Sequence, residues 1–318
     1  GRQSFYRAIA NYELGELQLA EDFNDLTADP PKSVSQKLAG KMAVISLDGN
    51  KFGERARKAG ESADGLRKWD EEIREKREEL LQSLLDEIRD DVSWLQSKDL
   101  EDGGKKGSRL RFEVLVWGGD DSLLVVPAWK GWWTLQRIYE LTKDWKAADG
   151  KDLTHSAGLV FCGAKAPIYR VKTLAENLCT FAKGQSQKHD RERGDVFAYQ
   201  VLESFDHIGR DLEEYLQEHT PDKTDTWKRH WILRGSGMEE AAKVKAELER
   251  KGMPMRKLHK MVRKPLEGQK TDTERKPLED FNDLFDELAK AWGIEGSDLV
   301  YLHALELWGY LTPEQARG

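Results

Sequence analysis

Cysteine is nearly absent. Two residues, Cys162 and Cys179, stand in 318, too few for a four-thiolate zinc cluster or a disulfide framework. No run approaches the roughly 18 apolar residues of a membrane span, and the first thirty residues carry no signal-peptide pattern. Basic charge is not in excess either: 51 Lys and Arg face 58 Asp and Glu, a net of −7. That argues against a general nucleic-acid coat but leaves room for local patches. Repeats and low-complexity tracts are missing. What remains is a charged, hydrophilic chain, 34% Asp, Glu, Lys and Arg against a usual value of about 25%, with mean hydropathy −0.73. It reads as a soluble protein of a reducing, cytoplasmic compartment. At about 150 residues per domain the length gives a prior of two domains. The missing initiator Met points to a portion of a longer chain.

Residues 1–40 read as a polar helical or linker segment broken at Pro30-Pro31. Residues 42–47 are an apolar run of strand length ending on Asp48-Gly49-Asn50. Leu66, Trp69, Ile73, Leu80, Leu84, Ile88, Val92 and Leu95 then recur at helical intervals, which predicts one long helix over 66–95. A Gly- and Lys-rich loop follows at 102–108. Strand-like runs at 110–117 and 122–127 flank Gly118-Gly119-Asp120-Asp121, a hairpin signal. Beyond it come a helix over 132–145, a strand over 153–162, a helix over 171–183, a charged loop over 184–194 and a strand over 195–202. This order predicts an α+β domain, a largely antiparallel sheet with helices on one face. Helical signals dominate from about residue 204. They are interrupted at 251–264 by six Lys and Arg without an acid.

Chemistry concentrates in three carboxylates. Asp48 stands where the first strand runs out, and Asp120-Asp121 sit at the hairpin tip. Sequential strands usually neighbour one another, so the three acids converge at one sheet end. Clustered carboxylates repel and persist mainly where a cation neutralises them. Oxygen-only donors suit Mg²⁺ or Mn²⁺ with substrate phosphates. Two such ions can activate an attacking hydroxyl and stabilise a leaving pyrophosphate. Gly118 and Gly119 permit φ > 0 and leave no Cβ in the way of an approaching nucleotide. A plain Gly-rich turn with solvated acids is the bland alternative for Gly-Gly-Asp-Asp alone, but Asp48 in the right order weakens it.

Ile45-Ser46-Leu47-Asp48-Gly49-Asn50-Lys51-Phe52-Gly53, Val116-Trp117-Gly118-Gly119-Asp120-Asp121, His155-Ser156-Ala157-Gly158-Leu159 with Lys165-Ala166-Pro167-Ile168-Tyr169, and Leu174-Ala175-Glu176-Asn177-Leu178 with Ala182-Lys183 follow in order. Together they resemble the catalytic palm of the large, polymerase-like subunit of type III CRISPR effector complexes. GGDEF-type diguanylate cyclases are more distant relatives. The resemblance spans about 40–203. It implies a ferredoxin-like palm over 41–203, with a long helical insertion at about 61–100 and an α-helical domain over 204–318. The activity implied is ATP condensation to cyclic oligoadenylate with two Mg²⁺ or Mn²⁺ ions, in antiviral defence. By position, Asp48, Asp120 and Asp121 match catalytic metal ligands. Gly49, Phe52, Gly118, Gly119, Ser156 and Lys183 match nucleotide-binding positions, Lys183 on the triphosphate. Asn50 stands where relatives often carry a second aspartate. Only one palm is visible where the CRISPR subunit has two, which implies a second palm as partner, another copy or a separate subunit. Other effector subunits and RNA are further implied partners.

The rivals are a GTP-using diguanylate-cyclase-like enzyme and a catalytically silent palm serving as a scaffold or RNA-binding subunit. Arg256, Lys257, Lys260, Arg263 and Lys264 could track an RNA backbone, although a solvated loop or a docking face for acidic surface is favoured by about two to one. Trp132, Trp133 and Trp145 read as core at helical spacing rather than as base-stacking groups. The two cysteines read as buried, inert thiols. His189-Asp190 reads as solvated loop.

Overall fold

A computed structural model describes residues 2–15, 17–89, 91–96, 109–189, 194–202, 211–220, 227–267 and 276–311. The expected loop at 102–108 and residues 190–193 of the expected charged loop, Asp190 included, lie outside the described residues. Strands run as β1 (Gln18–Leu19), β2 (Lys41–Gly49), β3 (Leu95–Gln96), β4 (Arg109–Leu110), β5 (Glu113–Gly118), β6 (Asp121–Pro127), β7 (His155–Gly163), β8 (Val196–Val201) and β9 (Leu233–Arg234). The helices used below are α1 (Arg2–Ala10), α2 (Phe23–Thr27), α3 (Phe52–Ala59), α4 (Ala63–Ile88), α5 (Ala128–Thr142), α6 (Ile168–His189), α7 (Leu212–Glu218), α8 (Trp227–His230), α9 (Met238–Arg250), α10 (Met255–Leu266), α11 (Asn282–Trp292) and α12 (Leu299–Leu307).

The fold is α+β. Among the described residues a six-stranded sheet has the order β5-β6-β2-β7-β8-β9. Every pairing in it is antiparallel except β7 with β8, which are parallel and joined across α6. β2 lies in the middle and reads as an unbroken apolar run because both of its faces are covered. Met42 and Val44 pack with Val171, Ala175 and Leu178 of α6. Ala43, Ile45 and Leu47 pack with α4 and α5 through Leu84, Trp132 and Leu135. The helices therefore occupy both faces, not one. An apolar pattern on two sides of a strand cannot say which helix goes where; the crossovers decide it. α6 approaches β7 so closely that a Cβ at Gly158 would fall 1.9 Å from the Ala175 carbonyl oxygen, so only glycine fits.

Several boundaries differ from the sequence reading. α4 starts on the Ser62 cap, whose hydroxyl accepts the Gly65 N–H, and stops at Ile88 rather than running to 95. Asp91 opens a new 3₁₀ turn by accepting the N–H and hydroxyl of Ser93. Leu95–Gln96 then pairs with β4 in a separate three-stranded sheet with β1. The expected strand over 110–117 is thus two strands serving two sheets. α6 continues past Gly184 to His189, so the expected loop begins later and His189 is helical. Burial of Gln185 shows tertiary packing overriding the helix penalty of the glycine. The basic stretch at 251–264 is mostly helix α10, its Leu258, Met261 and Val262 buried.

On the α4 and α5 side of the sheet one packed cluster reaches from the N-terminal segment to the last described helix. Tyr6 of α1, Trp132 of α5, Phe285 of α11 and Leu307 of α12 belong to one cluster, and β9, from beyond residue 203, closes the sheet edge. Trp132 is fully buried, with Trp133 and Trp145 partly buried against the same core. Burial pushes both cysteine thiols up to about 12, so they are inert. Between β8 and α12 a polar group is sealed in: the Tyr199 hydroxyl lies 2.8 Å from His303 Nδ1 and 3.0 Å from Glu306 Oε2, while His303 Nε2 meets the His230 carbonyl at 2.8 Å. Burial raises the Glu306 carboxyl to about 7 and lowers the His303 imidazole to about 4. No described helix is long and apolar enough to cross a membrane.

Candidate active site

The strand register brings the acids together. Asp48, one residue from the end of β2, is the cross-strand partner of Asp121 on one side and of Ser156 on the other. Gly118 pairs with Asp121, which leaves Gly119 and Asp120 as a two-residue hairpin loop. Gly119 has φ +56°, at the position where tight two-residue turns favour glycine. The Gly49 N–H donates to the Asp120 carbonyl at 3.2 Å, which ties the hairpin tip to the end of β2. A Cβ at either Gly118 or Gly119 would meet nothing within 4 Å; these glycines leave open space on the solvent side.

Two cations approach the acids from opposite helices. From α6, Lys183 Nζ donates to Asp48 Oδ1 at 2.8 Å, to Asp48 Oδ2 at 2.7 Å and to the Gly49 carbonyl at 3.0 Å. From α4, the buried Arg77 donates through Nη2 to the Asp121 carbonyl at 2.9 Å and to Ser122 Oγ at 2.7 Å. Its guanidinium lies 4.6 Å from the Trp117 ring centroid. Burial pulls Arg77 down to about 10, against the charges of Asp120 and Asp121. The Asp121 carboxyl is pushed up, first by partial burial, then by Asp120 and Asp48; Lys183 and Arg77 act the other way. Negative charge is therefore in excess at the hairpin.

Among the described residues, no group of three or more His, Cys, Asp or Glu side chains is arranged to hold a metal ion. The ammonium of Lys183 takes both oxygens of Asp48 instead. The donor chemistry still fits a hard divalent cation. It comprises oxygen donors only, a carboxyl strained by like charge, and a cationic group already seated on the third acid.

The remaining sequence-derived positions serve the turn after β2. Asn50 donates its backbone N–H to the Thr154 carbonyl at 2.8 Å and its amide to Thr154 Oγ1 at 3.0 Å, and it accepts the Ser156 hydroxyl at 2.7 Å. An amide suits this place because it must both donate and accept. Ser156 is fully buried and committed to Asn50. Lys51 takes the left-handed conformation, φ +62°, and leads into α3 without a side-chain cap. The N–H groups of the first α3 turn are thus left without a side-chain acceptor. Phe52 turns inward, 3% exposed, against Trp69 and His155, with its ring occupying the space a Cβ on Gly49 would need.

Beside the hairpin lies a cavity of about 520 Å³ walled by Phe52, Trp69, Ile73, Arg77, Trp117 and the Gly118-Gly119-Asp120 tip, with Ala8 and Ile9 of α1 on its rim. Arg77, Trp69 and Trp117 were not singled out as site residues by sequence reasoning. A signal for Arg77 existed: it falls between Ile73 and Leu80 on the apolar stripe of α4, where a charge is out of place.

Residues 41–192 match the family Cas10/Cmr2, second palm domain, so the palm resemblance read from the sequence holds over this span. Among solved structures, the chain is similar to a Csm1–Csm4 cassette in complex with cA4, at 17% identity and TM-score 0.49, covering 91% of this chain and 38% of that one. A Csm1–Csm4 cassette in complex with one ATP gives 17% identity and TM-score 0.47, with 91% and 39% covered. Csm1 from T. onnurineus gives 14% identity and TM-score 0.41, with 94% and 40% covered. The chain spans about two-fifths of the length of these structures. No curated protein matches the sequence.

Proposed function

Taking residues 41–192 as similar to a Cas10/Cmr2 second palm, we propose that this chain is the nucleotidyltransferase palm of a CRISPR-related effector. It would condense ATP into cyclic oligoadenylate with release of pyrophosphate. The observation that carries this reading is the register row of Asp48 and Asp121, closed by the Gly49–Asp120 hydrogen bond, beside an aromatic-walled cavity. In the reaction the 3′-hydroxyl oxygen of one nucleotide bonds to the α-phosphorus of the next. The bond from that phosphorus to the bridging oxygen breaks, and the hydroxyl proton leaves to solvent.

Asp48, Asp120 and Asp121 would hold Mg²⁺ or Mn²⁺, which supplies activation of the hydroxyl and neutralisation of the leaving pyrophosphate. Lys183, released from Asp48, turns its ammonium to the triphosphate. The start of α3, uncapped by the Lys51 side chain, would favour the same charge, since helix N-termini favour phosphate. Phe52, Trp69 and Trp117 give the cavity apolar walls suited to a base. One palm supplies one nucleotide site, so a second palm, as another copy or a partner subunit, completes the pair.

The test is mass spectrometry of products after incubation with each nucleoside triphosphate and Mg²⁺ or Mn²⁺, alone and with the complete effector. Cyclic oligoadenylate from ATP supports the reading. Product from GTP alone moves it to the diguanylate-cyclase type. No product in any mixture, together with no Mn²⁺-dependent ATP binding, makes the chain a silent scaffold and overturns it.

A further inference from the structure

We infer that Arg77, on the long insertion helix α4, is a positioning residue that anchors the Gly-Gly-Asp-Asp hairpin for the transfer reaction. The inference rests on the transferase reading above for its catalytic consequence, but not for the anchoring itself. A hairpin with a two-residue glycine-containing tip at the sheet edge has little of its own to hold it. β5 is an outer strand of the sheet, and its pairing with β6 is irregular between Val114 and Val116. Leu115 and Val116 beside that irregularity are exposed. The tip is therefore held by the β6–β2 pairing up to Asp48–Asp121 and the Gly49–Asp120 bond on one side, and by α4 on the β5 side.

Arg77 makes that second attachment. It is 6% exposed on an otherwise apolar stripe, a costly place for a cation unless its hydrogen bonds are specific. Its bonds run to the Asp121 carbonyl and the Ser122 hydroxyl, the first two residues after the loop. Its flat face stacks on Trp117, the last residue but one before the loop. One side chain thus touches both arms of the hairpin. A guanidinium can stack and donate two directed bonds from one nitrogen; a lysine ammonium cannot do both. The charge also sits opposite Lys183, so the acid row is bracketed by one cation from each face of the sheet. Misplacing a reacting group by about 1 Å can cost about a hundredfold in rate.

The experiment uses the full chain and compares wild type, Arg77→Met and Arg77→Lys. Methionine keeps the stem packed on Trp117 and removes the donors. Amide hydrogen exchange and steady-state kinetics with ATP are read together. In Arg77→Met, amides of residues 118–122 should exchange at least about tenfold faster, as charged hydrogen bonds are lost, while those of β2 and β7 stay unchanged. Turnover should fall about a hundredfold, with KM for ATP held within about twofold. Arg77→Lys should lie between the two on both readouts.

Faster exchange throughout the sheet would mean general core support and overturn the assignment. So would unchanged hairpin exchange with a KM raised more than about tenfold, which would make Arg77 a substrate contact. A loosened hairpin with wild-type turnover would overturn it as well. If wild type forms no product either alone or with the complete effector while the variant hairpin still loosens, the transferase reading fails and the anchor stands.

Discussion

Replacing Lys183 by Met tests the charge arrangement at the hairpin most directly. Its ammonium donates to both oxygens of Asp48 and to the Gly49 carbonyl, at 2.7 to 3.0 Å. Both side chains are about one-quarter exposed, 25% and 24%. Exposed pairs contribute about 0.2–1 kcal/mol, and removal of one partner from a buried pair costs about 3–5 kcal/mol. This pair lies between, so Lys183→Met should destabilise by about 1–3 kcal/mol. Asp48 is then left beside Asp121 with less positive charge to offset the repulsion. At a few degrees per kcal/mol for a chain of this size, the melting temperature should drop by roughly 2–8 °C. The diagnostic part is recovery. With Lys183 gone, Mn²⁺ has an open carboxylate, so Mn²⁺ without nucleotide should restore most of the loss; saturation at a hundred times Kd is worth about 2.7 kcal/mol. Wild type should gain less, because Lys183 must first be displaced. Asp48→Asn in the Lys183→Met background should also restore stability. The assay is thermal unfolding of wild type, both single variants and the double variant, with and without Mn²⁺. An unchanged melting temperature in Lys183→Met, or equal Mn²⁺ responses in all four proteins, would refute the argument that Lys183 stands in for the cation.

Asp120→Ala with Asp121→Ala should abolish product while leaving stability equal or higher, because like charges no longer repel; retained turnover in the product assay would contradict the site. Asp48→Ala should likewise eliminate product. For the part-buried Glu306, the folded carboxyl at about 7 lies above its ordinary value of 4.5. Wild type should therefore lose this contribution as pH rises from about 4.5 to 7, and Glu306→Gln should gain in melting temperature relative to wild type over the same window. A flat difference across that range would refute the shift. On α10, Arg256, Lys260 and Arg263 are exposed on one helix face. If they bind RNA, affinity should fall steeply with salt and weaken in the triple Gln variant, as measured by fluorescence anisotropy; no binding at low salt leaves a solvated face. If copies of the palm pair, specific activity should rise with enzyme concentration, and excess Asp120→Ala/Asp121→Ala chain should alter turnover per wild-type chain. If a separate palm is needed, this chain should bind ATP yet make little product alone, and a fully active monomer would contradict both versions.

That Asp48, Asp120 and Asp121 converge at one sheet end was legible in the sequence because the signals are local. An apolar run that ends on an aspartate marks a strand end, and Gly-Gly-Asp-Asp between two strand-like runs marks a hairpin tip. Both depend only on nearest-neighbour preferences, which the fold does not override. Lys183 was legible only through resemblance, since a lone lysine has no periodic or turn signature. Where α4 stopped was not legible: the apolar spacing continues through Val92 and Leu95, and Asp91 ends the helix by a side-chain bond that competes with the backbone. Nor was the placement of helices on both faces of the sheet, because β2 is apolar on each side and the pattern is blind to which partner covers which. Arg77 shows the division most clearly. The sequence by itself determined that a charge would interrupt the apolar stripe of α4. Only the tertiary structure decided that this charge meets Asp121, Ser122 and Trp117, which lie 44, 45 and 40 positions further along the chain, because burying a guanidinium depends on which carbonyl, hydroxyl and ring the folded chain brings to it.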